Sequence, residues 1–210
     1  MRTVSKSPLI TLNNGTTIPQ LGFSTLGVPP DRQPSRANTE MTAQIVGLAL
    51  EVGYRHIDTA QMYGNEHGVG EAIAPSGIPR EELYGTSKLG NGNHRPDDVR
   101  RSFDETLEKL GLEQPNLFLM HWPLPTLYDG DYVSTWEAMC ELVAEGRLRT
   151  AGVSNFQPAH LDRIIAETGY QRSTRSRCTR TSPTAPLVRL QPAWRCGGGV
   201  ESARAGQAAR

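Results

Sequence analysis

The chain has little of what marks several protein classes. Its 210 residues include only three cysteines, Cys140, Cys178 and Cys196. They are odd in number, far apart and without a Cys-x-x-Cys pair, which argues against a disulfide framework or a structural zinc site and for a reducing compartment. No run approaches the roughly 18 apolar residues of a membrane span, and Met1–Pro8 lacks the apolar stretch of a signal peptide. Net charge is also missing: 22 basic side chains balance 22 acidic ones, so nothing global calls for nucleic acid or a membrane surface. A cytoplasmic protein is expected.

What is present is an alternation of strand and helix. Leu9–Leu12 and Thr17–Gln20 flank the turn Asn13-Asn14-Gly15, predicting an opening hairpin. Strands are predicted at Leu21–Leu26, Tyr54–Asp58, Leu83–Lys88, Asn116–His121 and Arg149–Val153. Helices are predicted over Thr39–Val52, Glu66–Ala74, Pro96–Leu110, Val133–Glu145 and Pro158–Glu167, several closed by a glycine. This pattern implies α/β architecture with a parallel sheet and right-handed crossovers. Specifically, it predicts a partial (β/α)8 TIM barrel of about five βα units plus the N-terminal hairpin; a full barrel takes about 250 residues. A Rossmann domain is the rival. Its glycine signature is missing, and Gly64, Gly68 and Gly70 read as helix-packing glycines, with a phosphate loop as the alternative.

Four polar residues sit at or just past predicted strand ends: Asp58, Tyr63, Lys88 and His121. Barrel enzymes gather their chemistry at that end of the sheet. A carbonyl reduced by hydride transfer needs a proton at its oxygen, and an ordinary phenol with a pKa of about 10 gives one up reluctantly. An ammonium beside the phenol stabilises its anion, and a carboxylate keeps that ammonium charged and oriented. Tyr63 as acid, Lys88 as its partner and Asp58 as the lysine's anchor form a consistent trio. His121 can orient the same carbonyl. Singly, each residue is more ordinary as a helix cap or ion pair. His56 and Asp58 share a strand face and form a His-x-Asp pair, but no second ligand cluster supports a metal. Trp122, Trp136 and Tyr84 read as core or pocket walls.

The run Gly53-Tyr54-Arg55-His56-Ile57-Asp58-Thr59-Ala60-Gln61-Met62-Tyr63-Gly64-Asn65-Glu66 resembles the aldo-keto reductases. So do Thr86-Ser87-Lys88-Leu89, Leu119-Met120-His121-Trp122-Pro123 and Gly152-Val153-Ser154-Asn155-Phe156. The resemblance covers roughly residues 8–169 and is strongest to the bacterial branch containing 2,5-diketo-gluconate reductases. It implies an oxidoreductase that reduces small aldehydes or ketones to alcohols with NADPH, in a barrel whose base the hairpin closes. Tyr63 would be the proton donor, Lys88 and Asp58 its tuning pair, and His121 the carbonyl-orienting group. Ser154 and Asn155 would hold the nicotinamide carboxamide. Ser24, Thr25 and Leu26 would run beside the cofactor, and Phe23 and Trp122 would line the substrate pocket. No metal is implied, and relatives are usually monomeric. Gly90 stands where many relatives carry a tryptophan, which would open one wall of the pocket.

Residues 170–210 differ in character. They carry eight arginines and one acid, Glu201, whereas residues 1–169 carry 14 basic and 21 acidic side chains. No helical or strand period is visible, and the sixth-strand glutamine and phosphate loops implied by the resemblance do not follow. Back-translated with permitted codons and read two bases later, Tyr170–Thr184 spells Pro-Ala-Val-Asn-Gln-Ile-Glu-Val-His-Pro-Tyr-Phe-Thr-Asn, which resembles the family's sixth-strand motif. Gly198–Gln207 read one base later resembles the seventh. A frameshift after Gly169 is therefore expected. It divides the chain into a barrel portion, 1–169, and a basic, irregular and disordered tail, 170–210. The functional alternative is an inactive truncated remnant that binds no cofactor; an anion-binding tail is the remaining option.

Overall fold

The computed structural model describes residues 7–12, 14–169 and a two-residue strand at 188–189. The hairpin joins β1 (Leu9–Thr11) to β2 (Thr17–Pro19), antiparallel, with Ile10 opposite Ile18. Its turn is fixed by Asn14, whose Oδ1 accepts from Thr16 N at 3.0 Å and from Thr16 Oγ1 at 2.7 Å. Gly15 sits at φ +84°, where a side chain is costly.

A parallel sheet follows in chain order: β3 (Phe23–Ser24), β4 (His56–Asp58), β5 (Tyr84–Leu89), β6 (Leu117–Met120), β7 (Ala151–Val153) and β8 (Val188–Arg189). The crossovers are α1 (Arg36–Glu51), α2 (Glu66–Ile73), α3 (Pro96–Leu110), α4 (Val133–Ala144) and α5 (Pro158–Thr168). Beyond Gly169, where no strand period is visible in the sequence, β8 pairs parallel with β7, placing Val188 opposite Gly152 and Arg189 opposite Val153. Two residues are too few to leave a period in sequence, whereas a parallel ladder needs only an open edge in register. The irregularity and disorder expected for the rest of 170–210 lie outside the described residues.

Alternation along the strands separates two environments. Ile57, Leu89, Phe118 and Met120 face the helices, where Phe118 meets Phe103 edge-on at 5.3 Å between ring centroids. Leu117 and Leu119 face the other way and join Leu12, Ile18 and Tyr84 in a separate cluster. The hairpin thus packs against the inner face of the sheet at its base, as the resemblance implied.

The glycine ambiguity resolves in favour of helix packing at Gly68 and Gly70, whereas Gly64 lies before the helix in the left-handed region at φ +69°. A Cβ on Gly68 would lie 2.6 Å from both Thr39 O and Thr42 Cβ, so α1 and α2 touch there. A Cβ on Gly70 would run into Lys109 O of α3. Gly47 in α1 has nothing within 4 Å of the same position. Alanine should therefore act in opposite senses at these two sites. Gly70→Ala is expected to lose about 1–3 kcal/mol by overpacking, and Gly47→Ala to gain up to about 1 kcal/mol of helix propensity, both read from urea unfolding midpoints.

Candidate active site

Four strands deliver the site. The register sets Ser24 beside Asp58, Asp58 beside Thr86 and Lys88 beside Leu119, so the ends of β3 to β6 lie level. Asp58 and Lys88 lie on the inner face of their strands, and His121 directly follows β6. Tyr63 arrives differently. It ends a single 3-10 turn, Gln61–Tyr63, which folds back over the exit of β4 and closes on Gly64 at φ +69°.

The centre of the site is Lys88, 3% exposed. Its Nζ donates to Asp58 Oδ1 and Oδ2, each at 2.8 Å, to Thr59 O at 3.0 Å and to Tyr63 Oη at 3.2 Å. All three ammonium protons are therefore committed. Tyr63 Oη accepts one of them, so its own hydrogen is free to point elsewhere. His121 stands edge-on to the Tyr63 ring at 5.8 Å. Its Nδ1 is buried with no hydrogen-bond partner, which leaves Nε2 as the ring nitrogen available to a ligand. Burial, with the Lys88 charge adding to it, lowers the His121 pKa from 6.5 to about 4, so the imidazole is neutral at ordinary pH. The arrangement presents two hydrogen-bond donors, a phenol and a neutral imidazole, backed by a buried cation.

The cofactor-side residues divide. Ser154 N donates to Met120 O at 2.8 Å, binding β7's exit to β6. Asn155 lies in the left-handed region at φ +61°. Its Nδ2 donates to His121 O at 2.8 Å and Ser154 Oγ at 3.1 Å, leaving Oδ1 as the group it can present to a ligand. Ser24 Oγ lies 3.5 Å from Asp58 Oδ2. Leu26 and Trp122 are 39% and 43% exposed on the same end of the sheet.

Thr25 has a structural part and Phe23 does not lie where expected. Thr25 is fully buried: its N and Oγ1 donate to Asp58 O, and Thr25 O accepts from Asn65 Nδ2, so it holds the loop in place. Phe23 pairs with Ile57, and directly opposed residues on parallel strands share a face. It therefore packs on the helix side, against the Val46–Ile57–Val69 cluster and Tyr54, and is not a wall of the pocket.

One residue was missed as an individual, although it lies inside the quoted motif. Asn65, 2% exposed, accepts at Oδ1 from Thr25 Oγ1 (3.2 Å) and Thr59 Oγ1 (2.8 Å), and donates from Nδ2 to Thr25 O (2.8 Å) and Val28 O (2.5 Å). It fixes Thr59, whose carbonyl receives Lys88. An Asn just before a helix reads in sequence as a cap, yet no side-chain capping bond is made here. In the His56–Asp58 pair, His56 Nε2 meets Thr86 Oγ1 at 3.0 Å, and among the described residues no group of three or more His, Cys, Asp or Glu side chains is gathered.

Comparison with known proteins follows the same lines. The profile of the Aldo/keto reductase family matches residues 20–192, a span that includes β8. Methylglyoxal reductase DkgA of Escherichia coli (strain K12) is 44% identical over 161 residues, which make up 77% of this chain and 54% of the relative. The crystal structure of a Bombyx mori aldo-keto reductase in complex with NADP aligns with a TM-score of 0.68 at 38% identity, covering 77% of this chain and 55% of that one. A crystal structure of a putative 2,5-diketo-D-gluconic acid reductase B aligns at 0.65 and 34% identity, covering 83% and 54%. This chain spans about half the length of the curated relatives it matches. By sequence, by fold and by the four residues assembled at the strand ends, the chain belongs to the aldo/keto reductase family.

Proposed function

We propose that the site reduces the carbonyl group of a small aldehyde or ketone to an alcohol, with Tyr63 as the proton donor and NADPH as the hydride source. The observation that carries this reading is the three-way coordination of Lys88 Nζ by Asp58, Thr59 O and Tyr63 Oη in a buried site. Methylglyoxal and glyceraldehyde reductases among the relatives support an aldehyde as substrate.

The residues present fit a nicotinamide at the end of β7. Asn155 Oδ1 is the acceptor available for a carboxamide N–H, and Ser154 Oγ accepts from Asn155 Nδ2 at 3.1 Å. When bound, the cofactor supplies a hydride to the carbonyl carbon. A carbonyl oxygen seated between Tyr63 Oη and His121 Nε2 receives a hydrogen bond from each. As negative charge develops on that oxygen, Tyr63 transfers its proton. The phenolate that remains is stabilised by Lys88 Nζ, already in place at 3.2 Å. Asp58 balances the ammonium and holds it on that line. His121 is neutral, so it polarises the carbonyl without competing with Tyr63 as an acid.

A second reading, a fragment that binds no cofactor, is favoured by the open sheet: β3 and β8 are end strands, each paired on one side only among the described residues. One experiment separates the two. Purified chain with NADPH and a nitrobenzaldehyde should lose nicotinamide absorbance, and Tyr63→Phe should reduce the rate by about 10²–10⁴-fold. No NADPH binding by calorimetry, together with no turnover, would select the fragment.

The His121 environment gives a pH test that needs no turnover. Its folded pKa is depressed, so its contribution to stability is complete above 6.5 and is lost as pH falls towards about 4. In His121→Gln, stability followed by tryptophan fluorescence should fall less steeply over that window. Equal slopes in the two proteins would mean that the imidazole takes up its proton as readily in the folded state as in the unfolded one.

A further inference from the structure

Gln61 opens the same 3-10 turn that Tyr63 ends. Its side-chain amide makes four hydrogen bonds. Oε1 accepts from Gly90 N at 2.6 Å and Asn93 Nδ2 at 3.1 Å; Nε2 donates to Ser102 O at 2.9 Å and Thr106 Oγ1 at 3.0 Å. Both lone pairs of the oxygen and both protons of the nitrogen are used, which is the full capacity of an amide. The partners come from two places. Gly90 and Asn93 lie on the loop leaving β5, two and five residues beyond Lys88. Ser102 and Thr106 lie on one face of α3 and are buried. One side chain therefore fastens the turn that carries the phenol to the loop that follows the ammonium, and anchors both to a helix of the core.

We infer that Gln61 is a positioning residue for proton transfer, setting the Tyr63 turn against the Lys88 strand so that the Tyr63–Lys88 contact is made. Two geometric facts support the assignment. The Lys88 Nζ–Tyr63 Oη bond, at 3.2 Å, is the longest of the four made by that ammonium, and it joins the same two segments that Gln61 bridges. It is the contact most easily lost when the turn shifts. The fit is also tight: a Cβ on Gly90 would stand 3.0 Å from Gln61 Oε1 and 3.4 Å from Asn93 Nδ2. Gly90 lets the amide reach the Gly90 backbone N–H, and a larger residue at position 90 would press on the clamp.

This inference rests on the proposed carbonyl reduction, so its test carries one readout that requires turnover and one that does not. With the full chain, Gln61→Leu is compared with Gln61→Glu, which keeps acceptors for Gly90 N and Asn93. In protein labelled at the tyrosine ring, the Tyr63 Cζ resonance is assigned by its loss in Tyr63→Phe. Gln61→Leu should move that resonance while the other tyrosines stay in place, and Gln61→Glu, which keeps the bonds to Gly90 N and Asn93 but sets an oxygen against Ser102 O, should move it less. In the aldehyde assay Gln61→Leu should lower kcat by about 10–100-fold, the scale of a small misplacement of a reacting group. KM should change less than about twofold, and the same substitution in a Tyr63→Phe background should cost little further. If the wild type turns nothing over, the carbonyl-reductase reading fails, and the resonance alone decides the role of Gln61. A Tyr63 resonance unmoved in Gln61→Leu, or a shift shared equally by all tyrosines with a matching loss of melting temperature, would overturn the inference.

Discussion

The structure is organised around one buried ammonium. Removing a lysine charge from water costs on the order of several kcal/mol, repaid only by an opposite charge and well-placed acceptors. Lys88 has those acceptors from three directions: the carboxylate of Asp58, the carbonyl of Thr59 and the phenol of Tyr63. Asp58 can reach it only if β4 and β5 are adjacent, parallel and in register, with Asp58 opposite Thr86. Thr59 and Tyr63 can reach it only if the chain turns back over the sheet immediately after β4. A one-residue slip between these strands would turn either Asp58 or Lys88 towards the helices. The charge thus reinforces the register, and the register creates the chemistry.

Under that site the packing is conventional, and its role is to prevent movement. Ile57, on the opposite face from Asp58, is locked among Val46, Leu50 and Val69. Leu89, which follows Lys88, and Met120, which precedes His121, are locked among Phe103, Phe118 and Trp136. Each reactive side chain therefore follows, precedes or lies one step from a residue held by a separate core cluster. The glycines of α2 extend this logic to Tyr63. Contact of Gly68 with α1 and of Gly70 with α3 seats α2 deeply, and α2 begins only three residues after the phenol.

Much of this was legible in the sequence where a residue's environment follows from local period or local punctuation. Helix α3 begins and ends where predicted, because Pro96 opens it and Gly111, at φ +62°, closes it. Asp58 and Lys88 were identified because, with Tyr63 and His121, they recur at successive predicted strand ends as one chemically consistent set. Legibility failed where an element lacks a period. Helix α1 starts at Arg36, capped by Ser35, ahead of the predicted Thr39, because its first turn is polar and the apolar stripe begins only at Met41. The first core strand shrinks from Leu21–Leu26 to Phe23–Ser24, leaving Leu21 and Leu26 exposed. The 3-10 turn under Tyr63 and the two-residue β8 leave no pattern at all. Phe23 was placed in the pocket through the family resemblance alone, and pairing with Ile57 fixes its face towards the helices.

Asn155 shows how the two halves of such a site are coupled mechanically. Its backbone at φ +61° is a conformation that asparagine tolerates and branched residues do not. That conformation returns the side chain to the exit of β6, where Nδ2 holds the carbonyl of His121 itself. Asn155 therefore fixes the backbone of His121 while its Oδ1 stays available. Ser154 N repeats the link one residue earlier, through Met120 O. A ligand seated on Asn155 Oδ1 would bear on the same two residues that set the height of His121 above the sheet. The exits of β6 and β7 are thus fastened to each other, just as Asp58 and Lys88 are fastened across β4 and β5.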